Sequence, residues 1–103
     1  MSLQIIKSES DGTLQLAGAL DIYSADALRE ALLQALRESS TVTLDLGAAE
    51  SCDLVAVQLL CAAQRSAAAQ GKPLVFHAVS TAVTEAATAL GLPEARFAIT
   101  HPR

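Results

Sequence analysis

The chain has 103 residues, a formal net charge of −4 and 51% hydrophobic residues. That length predicts a single domain over residues 1–103 with one modest core. The apolar content excludes a disordered chain. Only 3% of residues are aromatic, so aliphatic side chains must fill the core. The seven Lys and Arg are scattered, with no basic stripe or stacking platform, which argues against nucleic acid as a partner. No apolar run is long enough to span a membrane, and no signal peptide is read before the first strand. The two cysteines, Cys52 and Cys61, are nine residues apart, too far to bridge along a straight helix. Free thiols without a secretion signal fit a reducing cytoplasm.

Leu3–Lys7 predicts a first strand. Ser8-Glu9-Ser10-Asp11-Gly12 is a polar turn carrying the Asp-Gly hairpin signal. Thr13-Leu14-Gln15-Leu16 alternates as the antiparallel partner strand, and Gly18 just beyond it suggests a bulge or a close backbone approach. Ser24 suits an N-cap, with Asp26 in the first turn of a helix over residues 25–38. Leu28, Leu32, Ala35 and Leu36 give that helix its apolar face.

A buried strand follows over Thr41–Leu46. Residues Gly47–Cys52 read as a turn, and Asp53 as the cap of a second helix over about 54–70. Gly71 is its expected C′ residue. Placed at roughly 100° per residue, Ala56, Leu60, Ala63 and Ala67 fall on the core face. Gln58 and Arg65 lie nearly opposite. Leu54 falls on the Gln58 side and Val55 at its edge. Leu74–Val79 predicts another strand, and Ser80 caps a third helix from Thr81 to about Leu90, closed by Gly91 and Pro93. Arg96–Ile99 is a candidate final strand, and His101-Pro102-Arg103 a tail. The expected fold class is α/β, a mixed sheet of four to five strands with packed helices, in the order ββαβαβα(β).

Three stretches in this order carry a family resemblance. They are Leu16-Ala17-Gly18-Ala19-Leu20-Asp21-Ile22, then Val42-Thr43-Leu44-Asp45-Leu46 leading to Asp53, then Val79-Ser80-Thr81-Ala82-Val83 with Leu90-Gly91-Leu92. Together they resemble a STAS domain, the fold of bacterial anti-sigma factor antagonists, over nearly the whole chain. The string Leu20-Asp21-Ile22-Tyr23-Ser24-Ala25 is most similar to stand-alone STAS proteins accompanying chemotaxis and two-component genes. Lipid-transport STAS subunits are more distant in appearance.

The resemblance implies a docking protein rather than an enzyme. Expected partners are a kinase-type anti-sigma factor, a sensor kinase or a chemotaxis component, with no cofactor. Regulated members follow the Asp at the second helix start with a Ser or Thr that a kinase phosphorylates. Here those positions are Leu54 and Val55, and the usual Gly is Ala56. A side chain without a hydroxyl accepts no phosphate, so no phosphoswitch is expected there. The implied partner-binding set is Asp21, Ser24, Ser51, Asp53, Leu54, Val55 and Gln58. The same patch would serve a homodimer through an isologous contact.

Other readings stand beside this one. Ser51 lies on the other side of Asp53 and is the alternative phosphoacceptor of an anti-anti-sigma factor. Phosphate near a helix N-terminus is tolerated, although Glu50 and Asp53 oppose it. A subunit of a lipid-transport ABC complex is a further alternative. Cys52, near a helix start, would serve a redox protein if its pKa were lowered; a small apolar role is the simpler reading for it and for Cys61. His77 and His101 have no zinc-ligand spacing with the cysteines. No nucleophile-elbow, phosphate-loop or dinucleotide motif occurs.

Overall fold

In the computed structural model, which describes residues 3–8 and 12–91, five strands and three helices are formed. The strands are β1 (Gln4–Lys7), β2 (Leu14–Leu20), β3 (Val42–Leu46), β4 (Ala49–Cys52) and β5 (Leu74–Val79). The helices are α1 (Ala25–Glu38), α2 (Leu54–Ala69) and α3 (Thr81–Ala89), with a 3-10 turn at Ile22–Ser24 before α1. The candidate strand Arg96–Ile99 and His101 lie outside the described residues.

β1 and β2 form the expected hairpin, pairing antiparallel with Ile5 opposite Leu16 and Ile6 opposite Gln15. Gly12 takes a φ of +75° in the connecting turn, a left-handed conformation that Gly adopts without steric cost. The remaining pairings are parallel, and the sheet order is β1-β2-β3-β5 with β4 also on β2. Parallel neighbours require crossover helices, which α1 and α2 supply.

β4 was not foreseen, because Gly47–Cys52 reads as a turn. In the fold β3 and β4 run along successive parts of β2. Leu14 and Gln15 pair with Leu44 and Asp45, while Gly18–Leu20 pair with Ala49–Cys52. The chain breaks step at Gly47 and Ala48 between them. β2 is seven residues long and β3 only five. The end of β2 therefore carries backbone groups that β3 does not reach, and the segment after Gly47 satisfies them. The register slips between Gly18 and Ala19, where Gly18 has a φ of +87°, and Gly18 N–H donates to Ala48 O at 3.0 Å. This is the bulge expected at Gly18.

The core is one cluster joining the sheet to all three helices. Leu14, Leu16, Val42, Leu44, Leu46 and Phe76 are buried from the sheet. Leu28, Leu32 and Leu36 are buried from α1, and Val83 and Ala87 from α3. Strict alternation along β3 buries every second residue, as a sheet covered on one face requires. α2 buries the expected Ala56, Leu60, Ala63 and Ala67, and also Val57 and Cys61. The small side chains on this arc let α2 lie close to its neighbours. It ends in a full Schellman motif: Lys72 N–H donates to Ala67 O at 2.8 Å, Gly71 N–H to Ala68 O at 3.1 Å, and Gly71 has a φ of +70°. Ser80 caps α3 as expected, accepting from Val83 N–H at 3.4 Å.

Candidate functional site

The corner where β2 and β4 end brings together the start of α2 and the 3-10 turn before α1. Two bonds to one residue join these segments. Asp53 N–H donates to Leu20 O at 2.8 Å, and Asp53 Oδ2 accepts from Ile22 N–H at 3.3 Å. The first is available because β4 runs parallel to β2 and delivers Asp53 beside Leu20. The second corrects the expected role of Asp53. Its side chain makes no capping bond to α2. Its backbone carbonyl starts that helix, accepting from Ala56 and Val57 N–H at 3.0 and 3.3 Å. The carboxylate is turned across the corner to an exposed loop N–H 31 positions away in sequence.

Ser24 is corrected in the same way. It occupies the N-cap position of α1 without a side-chain capping bond. Capping happens one turn earlier, where Asp21 Oδ1 accepts from Tyr23 N–H at 3.0 Å and Ser24 N–H at 3.1 Å. Ser24 Oγ reciprocates by accepting from Asp21 N–H at 3.0 Å, completing a capping box. The Ser24 hydroxyl is also 3.0 Å from Ala19 O, an acceptor at the end of β2. Asp21 and Ser24 thus spend their polar atoms on shaping the turn.

The turn presents apolar side chains to solvent. Ile22 is 65% exposed and Tyr23 is 95% exposed, and Leu54 across the corner is 47% exposed. Val55 is half-buried, Gln58 is exposed, and Ser51 is exposed on β4 rather than in a turn. Reasoning from sequence passed over Ile22 and Tyr23. The available signal was an aromatic residue beside Asp21 in a chain with one Tyr, two Phe and no Trp. The corner is also acidic. Asp21, Asp26, Glu50 and Asp53 lie on its segments, while no Lys or Arg occurs between Lys7 and Arg29 or between Arg37 and Arg65.

Cys52 closes β4 and is half-buried, with its thiol 3.7 Å from Asp53 O. Burial, and secondarily the negative charge of Asp53, pushes the thiol up to about 11. That opposes the redox reading, which needs the thiolate stabilised; here the helix start is outweighed by desolvation. Cys61 is buried in α2 against the core. His77 is exposed on the face of the sheet opposite buried Phe76. There it lines, with Ile6, Gln15 and Asp45, a shallow depression of about 270 Å³.

The fold and this corner define a STAS-type α/β domain. A family model described as "Mlab, STAS domain" matches residues 3–99. The chain belongs to the STAS-domain family. Among solved structures, an anti-sigma factor antagonist from Mycobacterium paratuberculosis is similar at a TM-score of 0.78 and 20% identity, over 98% of this chain and 87% of that one. The anti-sigma factor antagonist SpoIIAA in its unphosphorylated form is similar at 0.70 and 16% identity, over 97% and 89%. A Ser-to-Glu variant of RsbS from Moorella thermoacetica is similar at 0.66 and 21% identity, over 100% and 89%. At these identities the likeness is one of fold. No curated protein matches the chain.

Proposed function

We propose that this STAS domain is a non-catalytic docking module in bacterial signal transduction, and that it is not switched by phosphorylation at the start of α2. The observation that supports this most is the chemistry at the stitched corner. Leu54 and Val55 stand where the family resemblance puts a phosphorylatable hydroxyl, and Leu54 is half-exposed. A partner covering Leu54 gains about 25 cal/mol for each Å² of apolar surface removed from water. No kinase can reverse that gain at an aliphatic side chain. The docking surface comprises Asp21, Ser24, Ser51, Asp53, Leu54, Val55 and Gln58, with Asp21, Ser24 and Asp53 holding its shape. The partner is of the kinase-type anti-sigma factor, sensor kinase or chemotaxis class.

The test is capture from the source cells with tagged wild-type chain and with Leu54→Asp, followed by mass analysis of what each retains. A signalling protein held by the wild type and lost from a folded Leu54→Asp supports the proposal. Retention by Leu54→Asp sinks it. Recovery of a membrane permease with its ATPase supports the lipid-transport reading instead, which a permanently apolar surface also suits. Ser51 is exposed, so incubation with a kinase so captured decides the phosphoswitch. Phosphate on Ser51 that weakens binding would restore it.

A further inference from the structure

We infer that Ile22 and Tyr23 are the anchor of the docking surface, and that the occupant is a protein cleft with an apolar floor and a rim of Lys and Arg. This rests on the docking role proposed for the corner and names the chemistry of its partner.

Three observations lead there. First, the two greatest apolar exposures lie side by side at this corner. Tyr23 and Ile22 are the most exposed large hydrophobic residues described, and the half-exposed Leu54 stands across the Asp53 bridge from them. Neither side chain adds to the core, so the fold has no use for them where they stand.

Second, the backbone beneath them is held. Asp21 Oδ1 takes Tyr23 and Ser24 N–H, Ser24 Oγ takes Asp21 N–H, and Asp53 Oδ2 takes Ile22 N–H. Both residues that carry the exposed side chains thus have their own N–H groups bound by carboxylates. A fixed turn presenting Tyr loses little freedom on binding, which is the condition for a strong anchor. Tyr also brings a hydroxyl to bond at the mouth of a cleft while its ring is buried.

Third, charge selects the occupant. Asp21, Glu50 and Asp53 lie on the 3-10 turn's cap, β4 and the start of α2, where no Lys or Arg occurs, and Asp26 lies in the first turn of α1, whose first base is Arg29. A second copy would bring the same acids face to face, which disfavours self-pairing here. Anionic membranes and nucleic acid are repelled for the same reason. A basic rim around an apolar cleft meets both features of the corner.

The test uses the protein identified by capture, purified, and titrated with wild type, Tyr23→Ala and Tyr23→Phe. Thermal melting first confirms that each variant is folded, as the exposure of Tyr23 predicts. Tyr23→Ala is expected to weaken binding by at least about tenfold, whereas Tyr23→Phe keeps most of the affinity. Affinity should fall as salt rises from about 0.05 M to about 0.5 M. Asp26→Asn with Glu50→Gln should lower the association rate and flatten that salt dependence. These two acids are chosen because Asp21 and Asp53 shape the turn.

If the partner is lost with Leu54→Asp but holds Tyr23→Ala as tightly as wild type, the docking corner stands and the anchor is overturned. Affinity indifferent to salt overturns the basic rim. A wild-type chain that sediments as a dimer dissociated by Tyr23→Ala, or that binds vesicles of anionic phospholipid, assigns the patch to those occupants and overturns the inference.

Discussion

Asp53 shows how one residue can be placed correctly and given the wrong task. A carboxylate immediately before an apolar helix suits an N-cap, yet its Oδ2 bonds Ile22 N–H. Asp53→Ala should therefore free the 3-10 turn without unravelling α2, which retains its backbone bonds to Asp53 O. The expected loss is about 0.5–1.5 kcal/mol, the net worth of one hydrogen bond. Asp53→Asn keeps an acceptor oxygen and should restore most of it. Amide exchange at Ile22 reads the bond directly: faster in Asp53→Ala, near wild type in Asp53→Asn, and unchanged at Leu60 in both. Equal exchange at Ile22 in all three proteins would remove the bridge.

Cys52 is the second residue where position and environment disagree. The helix start argues for a reactive thiol, and burial beside a carboxylate raises it instead. At neutral pH Cys52 should react with iodoacetamide more slowly than a free thiol. The folded value lies above the unfolded one, so burial of the neutral thiol stabilises the fold fully below the ordinary thiol range of about 8.5. That contribution is lost as pH rises toward about 11. Chemical denaturation of wild type and Cys52→Ala across this range should show the alkaline loss diminished in the variant.

At the scale of elements, the ends of α2 give contrasting predictions. Gly71 sits at φ +70° with open space around an added Cβ, so Gly71→Ala strains the backbone without a clash. A cost of about 1–2 kcal/mol is expected, or roughly 4–16 °C in melting temperature for a domain of this size. A melting point within a degree of wild type would contradict the Schellman end. At the other end, the first turn of α2 carries no acidic residue. Leu54→Asp places a carboxylate at the positive end of the helix dipole, worth about 0.3–1 kcal/mol at low salt. The neighbouring Asp53 offsets part of this. Leu54→Asp should thus melt at or near the wild-type temperature, which makes it a clean probe of docking. Val55→Asp is less clean, because Val55 is half-buried.

Elements that carry their own boundary chemistry were legible. α1 spans Ala25–Glu38 and β5 spans Leu74–Val79, as their apolar patterns predict. Ser80 caps and Gly71 closes as their residue types predict. β4 was not legible. Ala49-Glu50-Ser51-Cys52 has no alternation and little strand propensity, and it is a strand because β2 stands beside it.

For the whole molecule, stability depends on one aliphatic core in which Phe76 is the only fully buried aromatic among the described residues. Phe76→Ala on β5, which pairs with β3, should cost about 3–5 kcal/mol. That is a large part of the 5–15 kcal/mol typical of a domain, and chemical denaturation should show a markedly lower midpoint. A loss below about 1 kcal/mol would mean that the sheet and helices repack around the gap.

The sequence by itself determined the α/β order apart from β4, the core faces of α1 and α2, the bulge at Gly18 and the caps at Ser80 and Gly71. These follow from local spacing and from residue types with one favoured conformation. It also determined that Leu54 and Val55 cannot accept phosphate, since that is a matter of which atoms they possess. Tertiary structure alone decided that Gly47–Cys52 continues into a strand, that Asp53 spans to Ile22, that Cys52 is held neutral, and that Ile22 and Tyr23 face solvent. The strand, the bridge and the exposed pair each depend on a neighbour more than thirty positions away or on the absence of one, and the raised Cys52 thiol depends on burial, which is a property of what lies across a contact and which a local pattern does not contain.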